Sequence, residues 1–155
     1  MLETKPASVN VRVLKSVSWT EDGGFHAVES WLRLSTARQE HIDVVQAQND
    51  FLAAGARCAI EKQTVAPGDH KSSLPFLGVD GLARTGQAWV RQGILTATVI
   101  VPPVTPHALE ALVAAINNRI PQPERTLVAP HSFPEPEQMD AKSARRLQGG
   151  VSAST

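Results

Sequence analysis

The chain lacks most of the features that mark disulfide-bonded, membrane-spanning or nucleic-acid-binding proteins. Its single cysteine, Cys58, excludes an internal disulfide and leaves no thiol pair for a metal or redox site. Lys and Arg number 15 and Asp and Glu number 15, so no excess charge attracts nucleic acid, an anionic membrane or an acidic substrate. The longest apolar run, residues 94–104, is shorter than the roughly 20 residues needed to span a bilayer. We therefore expect a soluble protein with no nucleic-acid partner.

The start of the chain also lacks a secretory signal. Residues 1–6 show neither the charged start nor the apolar stretch of a signal peptide. If Met1 is the true start, we expect a cytoplasmic location. The length of 155 residues fits one domain.

Strand-like and helix-like segments alternate along the chain. Apolar and β-branched runs predict strands at residues 9–17, 43–48, 74–81, 94–101 and 125–129. Apolar residues at helical spacing predict helices at about 23–38, 50–60, 85–89 and 106–119. This alternation predicts an α/β fold at residues 9–133, a three-layer αβα arrangement with a mostly parallel, Rossmann-like sheet. The polar composition of residues 134–155 predicts a disordered tail.

Polar side chains end two of the predicted parallel strands. Asn49 follows the second strand and Asp80 ends the third, so both are expected at the same crevice. Asn donates and accepts hydrogen bonds while ionised Asp accepts, which suits the vicinal hydroxyls of a sugar. Trp19 lies just past the first strand and offers a flat apolar face for a sugar ring. These three residues form the candidate ligand site.

Structural explanations for the same residues stay open. Asn or Asp after a strand often serves only as a turn former or helix cap, and we expect Asp50 to be the cap of the next helix. By spacing alone, a core position is the favoured assignment for Trp19. Trp31 and Trp89 lie on apolar helix faces and are assigned to packing.

Catalytic and metal-binding patterns are missing from the sequence. The five histidines share no metal-ligand spacing, and no nucleophile elbow, Walker loop or dinucleotide-binding glycine motif occurs. We expect no enzyme activity, no cofactor and no metal. A small α/β enzyme with Asp80 as general base and Asn49 positioning the substrate remains an alternative.

Four segments in order resemble the type I periplasmic sugar-binding proteins of ABC transporters, the ribose- and galactose-binding group. Trp19 precedes the first helix at the place of an aromatic that stacks on the sugar. The resembling segments are Ala47-Gln48-Asn49-Asp50 followed by Ala54-Gly55-Ala56, then Phe76-Leu77-Gly78-Val79-Asp80-Gly81, then Gly93-Ile94-Leu95-Thr96-Ala97-Thr98-Val99. The resemblance implies carbohydrate binding as the substrate-binding component of a sugar transporter, with Asn49 and Asp80 on sugar hydroxyls, Trp19 on the ring and a membrane permease as partner. A periplasmic or extracytoplasmic location is typical of the family. Near Val101, where some members place a further sugar-binding glutamine, the chain departs from the pattern.

The resemblance covers about residues 9–130 and only the second lobe of a two-lobed fold. The first lobe is therefore expected to be missing, and sugar binding by this chain alone is expected to be weak. The helix at 106–119 would lose its partner in that lobe, which predicts self-association through the face formed by Leu109, Leu112, Val113 and Ile116. The effector-binding lobe of a lactose-repressor-type transcription regulator is the main alternative with the same fold.

Overall fold

A computed structural model describes residues 10–38, 40–63, 74–118 and 123–139 of the chain. Within them, helices and strands alternate as the sequence predicts. The helices are α1 (Glu21–Leu32), α2 (Asp50–Gln63), α3 (Gly86–Arg91) and α4 (Thr105–Asn118), with a short 3-10 helix at Ser35–Arg38. The strands are β1 (Val45–Gln46), β2 (Phe76–Asp80), β3 (Ala97–Ile100) and β4 (His131–Phe133).

The strands form one sheet in the order β1-β2-β3-β4. The first three strands run parallel, with Val45 opposite Phe76 and Gly78 opposite Thr98. β4 pairs antiparallel with β3 at the other edge. The mostly parallel α/β sheet predicted from the sequence is therefore confirmed.

Helices α2 and α3 cover one face of this sheet. Both belong to parallel crossovers that step in the same direction, which places them on the same side. They also touch each other, because the rings of Phe51 and Trp89 meet edge to face with centroids 5.1 Å apart. The opposite face presents Leu77, Val79 and Val99, and Val99 is 38% exposed. Of the three layers expected, the described residues form the sheet and this one helical layer.

Glycines bring α1 and α2 into backbone contact. A Cβ atom added at Gly24 would collide with the Leu52 carbonyl, and one added at Gly55 would collide with the Glu21 carbonyl. The small residues of α2 therefore serve its packing on α1. Around this contact lies the core, which includes Val28, Trp31, Ala53, Ala56, Ala59, Ile60, Phe76 and Leu95.

The strand predicted at residues 9–17 is absent from the described part of that segment. Residues 10–16 form no regular structure, and Val11 and Val13 are 62% and 75% exposed. The segment forms an ion pair from Arg12 to Glu40 instead of a backbone ladder. β-branched residues favour a strand only where a neighbouring strand bonds to it, and no described strand pairs with this segment.

The last strand also lies elsewhere than predicted. Residues 125–129 form no strand, whereas His131–Phe133 pairs with β3. Phe133 packs against the core and beneath the Arg91 guanidinium, 4.9 Å from its ring centroid, which fixes the strand there. A helical turn at residues 136–139 follows within the predicted tail, and residues 140–155 lie outside the described residues.

Helix α4 leaves its apolar face uncovered. Leu109, Leu112, Val113 and Ile116 are between 53% and 68% exposed. No helix among the described residues is long and apolar enough to cross a membrane.

Candidate functional site

The three residues predicted to bind a ligand lie at the end of the sheet where the parallel strands finish, called the ligand edge, or simply the edge, from here on. Asn49 follows β1 and Asp80 ends β2, and these strands are adjacent and parallel. The register that pairs Val45 with Phe76, continued along both chains, places Asn49 beside Asp80. Trp19 joins them because its carbonyl accepts a hydrogen bond from the Asn49 side chain at 3.0 Å. The predicted gathering of these residues is present in the fold.

Asn49 is the cap of α2, and the assignment of this role to Asp50 is wrong. The Asn49 Oδ1 atom accepts from the Leu52 backbone N–H at 2.7 Å, as an N-cap side chain does. Its Nδ2 atom donates to the Trp19 carbonyl, and the residue is only 7% exposed. An asparagine side chain has two N–H groups and two lone pairs, so one of each is left for a ligand.

Trp19 presents its ring to solvent. The residue is 64% exposed, so the alternative of a core position is contradicted. It stands directly before Thr20, whose Oγ1 caps α1 by accepting from the Gly23 N–H at 3.1 Å. The cap and the Asn49 bond hold the backbone on both sides of this exposed ring. Trp31, 6% exposed, and Trp89, in contact with Phe51, serve packing as predicted.

Asp80 has an unusual backbone conformation and an exposed carboxylate. Its φ of 98° lies in the left-handed region, and Gly81 follows with a φ of 61°. A non-glycine residue pays a conformational penalty there, and such residues concentrate at functional sites. Within the described residues the Asp80 carboxylate makes no hydrogen bond or ion pair. It is available as an acceptor at the crevice.

Asp50 is the polar residue whose role the sequence pattern conceals. It is 1% exposed, and its Oδ1 atom accepts from the Thr98 hydroxyl at 2.6 Å. Its Oδ2 atom accepts from the Gly81 N–H at 2.9 Å. Burial raises the pKa of Asp50 above the ordinary value of an aspartate, against the two hydrogen bonds that lower it, and the nearby charge of Asp80 adds to the rise. One buried carboxylate thus joins α2, β3 and the end of β2.

Two glycines make room for this carboxylate. A Cβ atom at Gly78 would collide with Asp50 Oδ1, and one at Gly86 would collide with Asp50 Oδ2. The sequence contains Asp50 and both glycines at a fixed spacing, and this spacing is the only signal it holds. Only the fold shows that the three residues meet.

The edge of the sheet is open. A shallow cavity of about 280 Å³ lies along α2 and another of about 300 Å³ lies along α1, and neither is lined by Trp19, Asn49 or Asp80. Among the described residues no group of three His, Cys, Asp or Glu side chains is placed to hold a metal ion. The arrangement offers one exposed ring, one exposed carboxylate and part of one largely buried amide, all from residues at this end of the sheet.

Comparison with solved structures identifies the fold. A Mycobacterium smegmatis protein in complex with β-D-fucofuranose is 28% identical, covers 84% of this chain and has a TM-score of 0.58. An ABC transporter periplasmic solute binding protein from Actinobacillus succinogenes with bound D-allose is 25% identical, covers 79% of the chain and has a TM-score of 0.61. The arabinose-binding component of an ABC transporter from Shewanella sp. ANA-3 is 23% identical over 85% of the chain, with a TM-score of 0.62. No family model and no curated protein matches the chain.

The chain accounts for less than half of each of these proteins. It spans 40% of the first and second and 42% of the third. Together with the four-stranded, mostly parallel sheet, this coverage confirms the resemblance drawn from the sequence motifs. The chain has the fold of one lobe of a type I periplasmic sugar-binding protein of the ABC-transporter group.

Proposed function

We propose that this chain binds a monosaccharide or a similar cyclic polyol at the edge formed by Trp19, Asn49 and Asp80, as one half of a two-lobed binding site. The observation that supports it most directly is that an exposed indole ring, at Trp19, and an exposed carboxylate, at Asp80, belong to residues that both neighbour Asn49. The solved structures that share the fold carry fucofuranose, allose and arabinofuranose.

Each residue has a distinct part in this proposal. The Asp80 carboxylate accepts hydrogen bonds from two neighbouring hydroxyls, since an ionised carboxylate has about four lone-pair positions. The remaining Asn49 N–H donates to a hydroxyl oxygen. The Trp19 ring covers the C–H face of the sugar, which removes apolar area from water without requiring a polar partner.

These contacts are too few for tight binding. A net hydrogen bond contributes roughly 0.5–1.5 kcal/mol and a stacked ring a similar amount, so the three hydrogen bonds and the stack contribute about 2–6 kcal/mol, and the loss of translational and rotational freedom on binding offsets part of this. A millimolar dissociation constant requires about 4 kcal/mol. Because capping uses half of the Asn49 hydrogen-bonding capacity, we expect millimolar or weaker binding by the chain alone.

The second half of the site belongs to a further lobe in the proteins of this fold, and we propose that this chain acts together with such a lobe. Two-lobed proteins enclose a ligand by hinge closure, which adds contacts from the facing surface. The exposed face of α4 offers an apolar surface for that lobe. A role in transport, with a membrane permease as partner, follows from the same proposal.

The proposal is tested by NMR of the isotopically labelled chain during titration with D-allose, D-fructose and L-arabinose, with glycerol at equal concentration as the control. We expect sugar-induced shifts at the Trp19 indole N–H and at the Asp80 and Gly81 amides. Trp19→Ala should weaken the shifts at the Asp80 and Gly81 amides, and Asp80→Asn should weaken those at the Trp19 indole N–H and the Gly81 amide. Asp43→Asn, at an exposed carboxylate before the amino end of β1 and so away from the ligand edge, should leave all of them unchanged.

Two results would contradict the proposal. Shifts that are identical for sugars and glycerol show that no sugar site exists at this edge. A micromolar dissociation constant for the chain alone shows that the half-site account is wrong.

A further inference from the structure

The carboxylate of Asp50 lies behind the proposed site and does not face the crevice. Its Oδ1 atom is bound by the Thr98 hydroxyl of β3, and its Oδ2 atom is bound by the backbone N–H of Gly81. With 1% exposure, it has no access to a ligand. Whatever it contributes to binding must act through the residues that it holds.

The residue it holds most directly is the one after Asp80. Asp80 and Gly81 have φ angles of 98° and 61°, so two successive residues occupy the left-handed region. A non-glycine residue persists there only where its surroundings fix it. The Asp50 bond fixes the N–H of Gly81, which belongs to the peptide that joins the two residues. On the other side, the Gln87 side chain donates to the Gly81 carbonyl at 2.8 Å.

The turn has little freedom to relax toward β3. A Cβ atom added at Gly81 would lie 2.6 Å from the Ile100 Cα atom, so the backbone passes close to the neighbouring strand. The Val101 N–H bonds to the Asp80 carbonyl at 3.2 Å, which continues the sheet to this point. The direction of the Asp80 side chain therefore depends on the peptide that Asp50 binds.

We propose that Asp50 is a positioning residue for Asp80: by binding the Gly81 N–H, it holds the left-handed turn that directs the Asp80 carboxylate into the crevice. This inference rests on the proposed function, in which Asp80 binds sugar hydroxyls. Asp50 thus serves the ligand site through the backbone, and its second hydrogen bond, from Thr98 of β3, holds the carboxylate in place.

The chemistry of the two Asp50 oxygens provides a conservative variant. In Asp50→Asn, the amide oxygen accepts from the Gly81 N–H. The amide N–H then donates to Thr98, whose hydroxyl can donate or accept. In Asp50→Ala both bonds are lost. Asp50→Asn loses only the negative charge, whereas Asp50→Ala loses the charge and the bonds, so comparing the two variants separates the effect of the Gly81 bond from that of the charge.

The experiment compares wild type, Asp50→Asn, Asp50→Ala and Ile60→Ala by NMR, with D-allose as the probe. Ile60, 2% exposed, lies in the same helix about 15 Å from Asp50 along its axis, so its variant lowers stability without touching the turn. We expect Asp50→Ala to lose the hydrogen-exchange protection of the Gly81 amide and about tenfold in sugar affinity. Asp50→Asn and Ile60→Ala should keep affinity within about twofold of wild type.

Several outcomes would overturn the inference. Wild-type affinity in Asp50→Ala, or an equal loss of affinity in Ile60→Ala, shows that Asp50 has no specific part in binding. Should Asp50→Ala fail to fold, Asp50→Asn decides: if Gly81 protection and sugar affinity are both kept or both lost, the mechanism is supported, and loss of one without the other contradicts it. If wild type shows no sugar-induced shifts, the proposed function fails by itself. The positioning of the turn is then judged by Gly81 protection and the Asp80 backbone shifts in the same variants, and unchanged values overturn it.

Discussion

Replacing Thr98 by valine tests how much the buried Asp50 carboxylate depends on its partners. The substitution keeps the shape of the side chain and removes only the hydroxyl that donates to Asp50 Oδ1 at 2.6 Å. Both residues are 1% exposed, so water does not replace the lost donor. A hydrogen bond to a charged group contributes about 1.5–3 kcal/mol, and we expect a loss of about 2 kcal/mol in the free energy of unfolding.

The loss should depend on pH in a defined direction. The pKa of Asp50 is raised in the folded state, mainly by burial, so the folded state binds a proton more tightly than the unfolded state does. Stability therefore falls as pH rises from the ordinary aspartate pKa through the raised folded pKa. Thr98→Val removes a hydrogen bond that lowers the pKa of Asp50, so the folded-state pKa rises further in the variant. The decrease in stability with rising pH then continues to a higher pH. The variant should lose less stability once Asp50 is protonated, because the lost bond is then between neutral groups.

The assay is urea unfolding followed by far-UV circular dichroism, at neutral pH and again near the ordinary aspartate pKa. Thr85→Val is the matched control, because the Thr85 hydroxyl is buried and finds no hydrogen-bond partner among the residues that the structure describes. Removing that hydroxyl should leave stability unchanged or raise it by up to about 1 kcal/mol. A loss below about 0.5 kcal/mol for Thr98→Val, or a loss equal to that of Thr85→Val, would refute the reasoning.

Three further predictions concern packing, assembly and the ligand edge. Gly78→Ala should destabilise the chain by about 1–3 kcal/mol in urea unfolding, because its Cβ collides with Asp50. The control Gly93→Ala, at a φ of 76° in open space, should cost only about 1 kcal/mol of backbone strain. Equal losses in the two variants would contradict the packing argument. The exposed α4 face should cause concentration-dependent association in light scattering, which Leu112→Glu reduces without altering the circular dichroism spectrum; a stable monomer at all concentrations counts against it. Trp19→Ala should leave the free energy of unfolding within about 0.5 kcal/mol of wild type, since its ring is 64% exposed, and a larger loss would show that the ring serves the fold.

Local patterns in the sequence predict the elements that carry their own signal. The periodicities of α2 and α4 and the apolar runs of β2 and β3 are confirmed. The placement of Asn49 and Asp80 at one edge follows from strand polarity, which the alternation of elements already implies. Trp19 joins them through the hydrogen bond from Asn49 and not through a strand of its own, since residues 10–16 form none. Whether these residues bind sugar stays a prediction.

The features that sequence patterns do not predict depend on partners distant in the chain. Asn49 and Asp50 are both favourable cap residues, and only the location of Thr98 and Gly81 shows which one turns inward. The segment at residues 10–16 has strand propensity but no described strand to pair with. β4 is short, and its position depends on the contact of Phe133 with the core.

The glycine contact between α1 and α2 has a consequence for the energetics of recognition. Trp19 immediately precedes the cap of α1, and Asn49 caps α2, so the two helices whose backbones touch at Gly24 and Gly55 carry these residues at their amino ends. The relative placement of both residues is therefore settled when the chain folds, before any ligand arrives. Because the backbone at this edge is already ordered before a ligand binds, the chain loses little conformational entropy on binding. Any contacts contributed by a facing surface would then add to affinity with little loss to reorganisation of this half.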